Sequence, residues 1–258
     1  MGGDVFVDAG GRPRVLRGAT IYSGSTSVAE VAGQVGFETV WIEMEHGPAG
    51  FEKVEALCLA AEAGGAVPTV RVCDGQRCHV LRALEVGARI VMVPMFNTAD
   101  QARQVVEYGK FPPLGRRGYN TRSRGVQFGL RGAKVDFAEA NERTHLFAQI
   151  ETQEALDSFE AICGVEGLSG IFIGPGDLSA SLGCTGDLNS PRMVEIVTGC
   201  VRRARAMGKH AGILVAPGVL LEAALAAGCD LAFFCGDIMD LAWAWPQRLA
   251  QVQVKANS

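Results

Sequence analysis

This 258-residue chain has no apolar run of membrane-spanning length, and no charged N-terminal region followed by an apolar one. We therefore expect neither a transmembrane helix nor a secretory signal, and we predict a cytoplasmic protein. An excess of positive charge is also missing, since the formal net charge is −4 and the pI is about 5.6. That balance disfavours nucleic acid or an anionic membrane surface as the main partner.

Three further absences narrow the chemistry. The eight cysteines include no C-x-x-C pair, so we expect small buried apolar thiols rather than zinc ligands or disulfides. No G-x-G-x-x-G motif follows the first predicted strand, which counts against a dinucleotide-binding fold. No lysine lies at the C-terminal end of a predicted strand, which disfavours Schiff-base catalysis.

What the chain has is a regular alternation of apolar strands and amphipathic helices. The predicted strands are 15–21, 39–42, 66–70, 89–94, 146–150, 168–173, 211–215 and 231–235. The predicted helices are 27–35, 51–62, 76–86, 98–108, 152–163, 191–207, 219–227 and 238–252. Strands that are apolar throughout are typical of a parallel sheet covered by helices. This pattern predicts a single-domain α/β protein over residues 1–258, a (β/α)8 TIM barrel.

One segment interrupts the alternation. Residues 110–144 form a long connection that contains Pro112-Pro113 and many arginines, Arg131 among them. Long connections in compact domains are usually functional or partly disordered. We predict a short helix near Val135–Asn141 inside this connection.

Catalytic groups in a barrel of this kind come from the C-terminal ends of the strands and the loops that follow them. The residues at these positions are Glu43, Glu45 and His46 after strand 2, Arg71 after strand 3, Gln149 and Glu151 at the end of strand 5, and Gly176 and Asp177 after strand 6. Two carboxylates at the ends of consecutive strands, Glu151 and Asp177, predict two oxygen ligands for one hard divalent cation. Such a cation would act as a Lewis acid.

Both acids also have a structural interpretation. Glu151 suits the N-terminus of the following helix, where the dipole favours negative charge. Asp177 suits the N-cap of the turn that contains Ser179. Their occurrence together on adjacent strands favours the metal site.

The histidine and the arginine also leave alternatives open. His46 could cap a loop, or it could be a general base near neutral pH. Arg71 could pair with Glu43 or Glu45, or it could hold an anionic or carbonyl oxygen of a substrate. The remaining histidines lie on a helix or before strands, at the other end of the barrel, and are predicted to be structural: His79, His145 and His210.

Several motifs of the chain together resemble those of a known family. They are W-I-E-M-E-H-G-P at 41–48, V-P-M at 93–95, F-P-P-L-G-R-R-G at 111–118, Q-I-E-T at 149–152 and F-I-G-P-G-D-L-S-A-S-L-G at 172–183. The family that they resemble is the HpcH/HpaI aldolase/citrate lyase family, from about Val15 to Trp245. The most similar branch is the metal-dependent class II pyruvate aldolases of the 4-hydroxy-2-oxoheptanedioate aldolase type.

The resemblance implies a role for each residue of the predicted site. Glu151 and Asp177 would bind Mg²⁺, Mn²⁺ or Co²⁺, which would also chelate the ketone and carboxylate oxygens of pyruvate. The side chain of Gln149 and the backbone amides of Gly176 and Asp177 would hold the carboxylate. Arg71 would polarise the ketone oxygen and stabilise the enolate.

His46 would be the acid/base group by the same resemblance. The family pairs this histidine with an acid at the position of Glu85, which precedes strand 4 at the other end of its own barrel. Glu85 would therefore come from a neighbouring subunit, or else it is an ordinary surface acid. The family forms homo-oligomers, commonly hexamers with exchanged C-terminal helices, so a trimer or hexamer is expected here, with helix 238–252 on a partner.

The implied function is a divalent-metal-dependent carbon–carbon lyase that acts through a pyruvate enolate on a 4-hydroxy-2-oxo acid, with an aldehyde as acceptor. Residues 43–44, 119–124 and Gly176 depart from the usual family pattern, which leaves the acceptor open. Some relatives instead decarboxylate oxaloacetate and couple the enolate to another partner, as in macrophomate synthase. A catalytically silent scaffold is the third interpretation, and retention of both acids and His46 argues against it.

Overall fold

The computed structural model describes residues 3–130 and 134–252, and within them eight parallel strands close into a barrel in sequence order. The strands are β1 Leu16–Ile21, β2 Thr39–Glu43, β3 Val67–Arg71, β4 Ile90–Val93, β5 His145–Ile150, β6 Gly170–Ile173, β7 His210–Leu214 and β8 Leu231–Gly236. Helices follow the strands, so the predicted TIM barrel is confirmed. Of the predicted domain, residues 1–2, 131–133 and 253–258 lie outside the described residues, and so does Arg131.

The helices match the predicted ones with two differences. They are α1 Thr26–Gln34, α2 Phe51–Ala63, α3 Arg77–Glu85, α4 Ala99–Gly109, α5 Phe137–Glu142, α6 Gln153–Asp157, α7 Phe159–Cys163, α8 Pro175–Ser181, α9 Pro191–Ala206, α10 Val219–Ala226 and α11 Asp237–Gln251. The predicted helix 152–163 is two short helices, because Ser158 leaves the helical region between them. The segment after β6, predicted as a turn, is the helix α8, which starts at Pro175 because proline suits the first helical position.

Large side chains fill the inside of the barrel. This inner cluster includes Trp41, Ile90, Met92, Phe147, Phe172, Leu231 and Phe233. Glycines on neighbouring strands make room for the rings: a Cβ on Gly212 would lie 2.4 Å from Phe172 Cδ2, and one on Gly18 would lie 2.3 Å from Phe233 Cε1. A filled interior is not a pore, so a functional site lies at an end of the barrel.

The N-terminal segment covers the N-terminal end of the barrel. Val5 and Phe6 are buried and join the inner cluster. The ring of Phe6 stacks on His210 with a centroid distance of 3.7 Å and meets His145 edge-on at 5.2 Å. Both histidines therefore have packing roles, as predicted, and Phe6 holds the orientation of their rings.

The long connection between α4 and β5 also lies at the N-terminal end of the barrel. It starts where a helix ends and finishes where a strand begins, and both points are at that end. Arg117 Nη2 donates to Glu85 Oε1 over 2.7 Å, and a Cβ on Gly125 would lie 2.0 Å from the carbonyl oxygen of Leu84. The connection therefore packs on the end of α3, away from the C-terminal ends of its own strands. The short helix predicted inside it is α5.

The cysteines are all free thiols. Cys58, Cys163, Cys200 and Cys229 are buried as predicted, whereas Cys184 and Cys235 are partly buried. Cys73 and Cys78 are exposed, so the prediction of buried thiols was wrong for them. Both lie between β3 and the first turn of α3 rather than in an apolar element.

The last helix, α11, has no buried residue in this single chain, although it carries many apolar side chains. Its exposed apolar residues are Ile238, Met239, Leu241, Trp243, Trp245 and Leu249. Its predicted exchange between subunits stays a prediction. Within residues 3–130 and 134–252, no helix combines the length and the apolar character needed to span a membrane.

Candidate active site

The C-terminal ends of four strands bring the predicted site residues to one rim. Glu43 and Arg71 are partners in the ladder between β2 and β3. Ile150 and Ile173 are partners in the ladder between β5 and β6, so Glu151 and the turn into α8 leave the barrel side by side. Parallel strands that end in register therefore place the residues after strands 2, 3, 5 and 6 at the same end.

Glu43 organises one half of this rim. Its Oε2 accepts hydrogen bonds from Arg71 Nε at 2.8 Å and from the indole nitrogen of Trp41 at 3.0 Å. Its Oε1 accepts from the backbone N–H groups of Glu45 at 2.7 Å and His46 at 3.0 Å. The side chain of Glu43 thus connects the inner core, Arg71 and the loop that carries His46. The pairing of Glu43 with Arg71 was one of the predicted alternatives, but its contacts with Trp41 and the His46 loop were not predicted.

Arg71 is buried between two carboxylates. Its Nη2 lies 2.6 Å from Glu43 Oε2, and its Nη1 lies 2.9 Å from Glu45 Oε2. Burial alone would lower the pKa of Arg71, but its hydrogen bond and charge pairing with Glu43, together with Glu45, raise that pKa above its ordinary value. The structural pairing proposed for Arg71 is therefore present, and it leaves a rigid, permanently charged guanidinium at the rim.

Glu151 is also buried, and its carboxylate is fixed on both sides. Its Oε1 accepts from the backbone N–H of Met95 at 2.7 Å, and its Oε2 accepts from Gln149 Nε2 at 2.5 Å. Met95 has φ = 57°, a left-handed conformation that is uncommon for a residue other than glycine. Glu151 precedes the helix cap Thr152, and the acid in the first turn of α6 is Glu154, so the interpretation of Glu151 as a helix-terminal acid was wrong.

Asp177 lies in the first turn of α8, whose N-cap is Gly174. Its interpretation as an N-cap was therefore wrong. Burial is the largest cause of the raised pKa values of Glu45 and Glu151. The negative charge of Asp177 raises both pKa values further. The positive charge of Arg71 acts on the same two acids in the opposite direction. These mutual effects join Glu45, Arg71, Glu151 and Asp177 into one electrostatic unit.

The acids of this unit, together with Gln149, offer oxygen atoms that fit a divalent cation as ligands. Burial and neighbouring acids raise the pKa of Glu151, so positive charge beside it would favour its carboxylate form. Gln149 Oε1 is buried without a hydrogen-bond partner among the described residues, so a further oxygen acceptor lies beside the carboxylates. Oxygen-only donors suit Mg²⁺ and similar hard ions, which often take one or two carboxylates and fill the remaining positions with water and substrate.

Two residues near this unit were not found from the sequence as site residues. Tyr22 follows β1, and its pKa is raised by burial and by the nearby charge of Glu43. Gly174 lies against Glu151 and Gln149: a Cβ there would be 2.7 Å from Glu151 Oε2 and 2.9 Å from Gln149 Nε2. The G-P-G-D motif contains Gly174, but only the packing of β5 against β6 shows what the glycine accommodates.

We expect Gly174→Ala to lower the affinity for Mn²⁺ by about 10- to 100-fold, as is typical when the groups that orient metal ligands are disturbed. The added methyl group would displace the carboxylate of Glu151. Gly176→Ala is the matched control, because a Cβ at Gly176 would meet nothing within 4 Å. Calorimetric titration of both variants with Mn²⁺ measures the difference, and equal affinities would contradict the crowding argument.

His46 follows Glu45 on the loop after β2. Its backbone is fixed by Glu43, but its side chain is 61% exposed, and its Nε2 lies 3.9 Å from Glu45 Oε2. A Cβ on Gly47 would lie 2.5 Å from the carbonyl oxygen of Glu43, so the loop turns tightly there. The histidine thus reaches the rim with one side open to solvent in the single chain.

Glu85 is not near His46 of the same chain. It is the last residue of α3, which runs from the C-terminal end of β3 to the N-terminal end of β4. Its carboxylate accepts from Arg117 Nη2 at 2.7 Å and from Asn120 Nδ2 at 2.9 Å. A catalytic role for Glu85 therefore requires a second subunit and stays a prediction.

The fold and this rim define a class: a TIM-barrel enzyme with one buried carboxylate, Glu151, and one exposed carboxylate, Asp177, suited to a divalent metal, next to an ion-paired arginine and an accessible histidine. Comparison with known proteins narrows that class. The model of the HpcH/HpaI aldolase/citrate lyase family matches residues 21–232. A 2-keto-3-deoxy-L-rhamnonate aldolase of Klebsiella pneumoniae is 36% identical over an alignment of 243 residues that covers 92% of this chain and 90% of that protein.

Solved structures agree with this assignment. An HpcH/HpaI aldolase/citrate lyase family protein from Burkholderia cenocepacia J2315 has a TM-score of 0.84 and 30% identity, covering 93% of this chain and 95% of its own. The HpcH/HpaI aldolase from Desulfitobacterium hafniense DCB-2 has a TM-score of 0.85 and 25% identity, with 95% of both chains covered. The chain belongs to the HpcH/HpaI aldolase/citrate lyase family, and the predicted carbon–carbon lyase, an aldolase, is confirmed at the level of enzyme class.

Proposed function

We propose that this enzyme cleaves a 4-hydroxy-2-oxo acid of the 2-keto-3-deoxy sugar acid type into pyruvate and an aldehyde. The observation that carries the proposal is the position of the buried Glu151, whose pKa is raised by burial and by Asp177, next to the fixed cation of Arg71. The relative from Klebsiella pneumoniae is named for a 2-keto-3-deoxy acid, which has the same arrangement of oxo and hydroxyl groups. The assignment of this substrate class rests on the Glu151–Asp177 site and on the activity for which the relative is named.

We assign Glu151 and Asp177 as the protein ligands of Mg²⁺, Mn²⁺ or Co²⁺. When bound, such a cation polarises the ketone of a 2-oxo acid and favours the enolate as a leaving group. The two carboxylates also explain why the site suits a cation of this kind better than a soft metal, since they provide only oxygen.

The carboxylate of the substrate needs hydrogen-bond donors beside the ketone. Gln149 has a second N–H, because only one of its two amide protons is used on Glu151. The N–H groups of Gly176 and Asp177 lie in the first turn of α8, where a helix has no acceptors of its own for them. We assign these three donors to the carboxylate.

Arg71 is assigned to the ketone oxygen. Its guanidinium is held by Glu43 and Glu45, and its centre lies 5.1 Å from the Trp41 ring centroid. A donor that is already fixed needs no reorganisation when negative charge develops on the oxygen, which is the main source of electrostatic stabilisation in enzymes. Arg71 thus both orients the ketone and stabilises the enolate.

His46 is assigned as the base that starts the cleavage. His46 accepts the proton of the C4 hydroxyl group, and the C3–C4 bond breaks. The electron pair of that bond becomes part of the enolate of pyruvate. The C4 fragment leaves as an aldehyde, and the proton held by His46 returns, directly or through water, to the enolate carbon to complete pyruvate. The exposed position of His46 allows an acceptor of variable length beyond the pyruvate part.

The direct test is to incubate the purified enzyme with 2-keto-3-deoxy sugar acids, with Mg²⁺, Mn²⁺ or Co²⁺ and with a chelator. We expect pyruvate release that depends on the added metal, and aldol formation from pyruvate and hydroxyaldehydes in reverse. Oxaloacetate alone is the comparison substrate. Decarboxylation of oxaloacetate that is fast while every aldol substrate stays inert would overturn the proposal.

We expect His46→Ala to slow aldol cleavage by about 10²- to 10⁴-fold, the usual contribution of a general base. The affinity for Mn²⁺ should stay within about twofold, because the side chain of His46 is not among the proposed ligands. Steady-state kinetics and calorimetry on the same preparation measure both quantities. Unchanged turnover would reject His46 as the base.

We further propose that Glu85 acts in the rim site of a second subunit of a homo-oligomer. Two observations support this: the His46 side chain is open to solvent in the single chain, and α11 carries an unburied apolar face. Mixing His46→Ala with Glu85→Gln under conditions that exchange subunits tests the proposal. Recovered activity is expected, because some sites then combine an intact His46 with an intact Glu85, and activity that stays absent would contradict it.

A further inference from the structure

A second group of metal-ligating side chains lies at the opposite end of the barrel from the rim. Asp4, His145 and His210 each place one ligand atom within 4.8 Å of the other two. His145 begins β5 and His210 begins β7, whereas Asp4 lies on the N-terminal segment that crosses this end. The group therefore joins three parts of the chain that are far apart in sequence.

His145 directs an unsatisfied nitrogen into this group. The residue is only 6% exposed, and its Nε2 has no hydrogen-bond partner among the described residues. The same Nε2 lies 3.4 Å from Asp4 Oδ1. A buried polar atom without a partner costs free energy, so a ligand at this position would remove an existing penalty.

His210 is prepared for a ligand by its outer hydrogen bond. Its Nδ1 lies 2.7 Å from Asp230 Oδ2, and Asp230 is itself fixed by the backbone N–H of Ala211 at 3.0 Å and by Arg205 at 2.5 Å. A carboxylate on one ring nitrogen orients the ring and leaves the other nitrogen free to bind, as in most metal-binding histidines. Phe6 stacks on the same ring and holds its plane.

Two positive charges near the group lower its affinity for a cation. Arg89 is engaged by carbonyl oxygens, with Nε donating to Arg143 at 2.7 Å and Nη2 donating to Gly3 at 2.8 Å. Lys110 is buried, and burial lowers its pKa to about 8. Burial lowers the pKa of His145 well below its usual value, and the charges of Lys110, His210 and Arg89 lower it further.

We propose that Asp4, His145 and His210 bind a zinc ion at the N-terminal end of the barrel. Two imidazoles and one carboxylate suit Zn²⁺ better than the hard ions expected at the rim, and three protein ligands leave one position for water. The ion would tie the N-terminal segment to β5 and β7. This end of a TIM barrel serves stability rather than catalysis, so a structural role follows.

The test uses the untagged, full-length enzyme, stripped of metal and then saturated with Mg²⁺ to fill the rim. Zn²⁺ is titrated by calorimetry, and Co²⁺ is added separately to record its visible absorption. We expect one Zn²⁺ to bind per chain and to raise the Tm. The visible spectrum of bound Co²⁺ should be typical of an ion with a low coordination number. Asp4→Asn should weaken Zn²⁺ binding at least 10-fold and change the Co²⁺ spectrum.

Asp4 is the residue of choice because its side chain is 43% exposed, so its substitution leaves the core intact. Asp8→Asn is the matched control. Asp8 lies on the same segment, but its carboxylate accepts hydrogen bonds from Arg12 Nε and from the backbone N–H of Gly10 and is not part of the proposed zinc site. Zinc affinity that is equal in wild-type, Asp4→Asn and Asp8→Asn proteins would overturn the proposal. So would loss of all zinc binding in Glu151→Gln, which would place the zinc at the rim.

Discussion

Glu151→Gln is expected to lower metal-dependent kcat/KM by at least about 1,000-fold, since a Lewis-acid cation provides several kcal/mol and each 1.36 kcal/mol is a factor of ten. The amide removes the charge that the cation requires while keeping the size of the side chain. The contacts with Met95 and Gln149 can be partly preserved, so the protein should remain folded. Steady-state kinetics with Mn²⁺ and Mg²⁺ measure the loss.

The same variant should not lower the stability of the metal-free enzyme. Burial, and then the charge of Asp177, raise the pKa of Glu151 in the folded state. A carboxyl group with a raised folded pKa destabilises the protein fully at pH values above the folded pKa. This destabilisation decreases as the pH falls through the folded pKa and is absent below the unfolded pKa. Metal-free wild-type enzyme should therefore gain stability as the pH falls through a range just above that of an ordinary glutamate, and Glu151→Gln should lose this gain.

Thermal unfolding with and without Mn²⁺ separates these effects. Mn²⁺ should raise the Tm of the wild-type enzyme, because a ligand that binds only the folded state stabilises it, and it should leave Glu151→Gln almost unchanged. Glu154→Gln is the matched control, since Glu154 is an exposed acid on the next helix. A Glu151→Gln enzyme with wild-type turnover and a normal Mn²⁺ response would remove Glu151 from the metal site.

Arg71→Lys should lower kcat/KM by about 10²- to 10³-fold, the usual effect of removing one preorganised donor to a developing oxyanion. Lysine keeps the positive charge but not the planar fork that joins Glu43 and Glu45 at the same time. We expect kcat to fall more than KM rises, because the interaction is strongest in the transition state. Kinetics on the same 2-oxo acid substrate give both values.

Arg103→Lys provides the comparison for this substitution, because Arg103 is an exposed residue of α4 whose ion pair with Asp100 is local. It should keep wild-type kinetics. The Arg71→Lys enzyme should also unfold at a lower temperature, since Glu43 loses part of its buried pairing. Wild-type kcat in Arg71→Lys would show that charge alone suffices at the rim, and would contradict the proposed role of the guanidinium.

Most of the barrel could be predicted from the sequence because its elements are local patterns. Apolar strands and helices of 3.6-residue period are read from neighbouring residues, and all eight predicted strands are present. The errors fall where a local pattern was ambiguous. Residues 152–163 have helical spacing throughout, yet Ser158 divides them, and the G-P-G-D sequence resembles a turn although proline starts a helix there.

The site could be predicted only in part, for the same physical reason. Glu151, Asp177, Arg71 and His46 follow strand ends, so the fold alone brings them to one rim. The roles of Glu43 and Gly174 depend on what lies opposite them. Glu43 joins Trp41, Arg71 and the His46 loop, and Gly174 leaves space for Glu151. No pattern within one strand shows such contacts.

The sequence by itself determined the class of this protein: a parallel barrel with carboxylates at the C-terminal ends of its strands, and membership of an aldolase family carried by its motifs. Those features depend on residue type and spacing, which the chain carries everywhere along its length. Only the tertiary structure decided which charges share an environment. It placed Glu45 with Glu151 and Asp177, sent Glu85 to the far end with Arg117, and brought Asp4 to His145 and His210. Electrostatic coupling depends on distance through space, and distance through space is set by how the strands close.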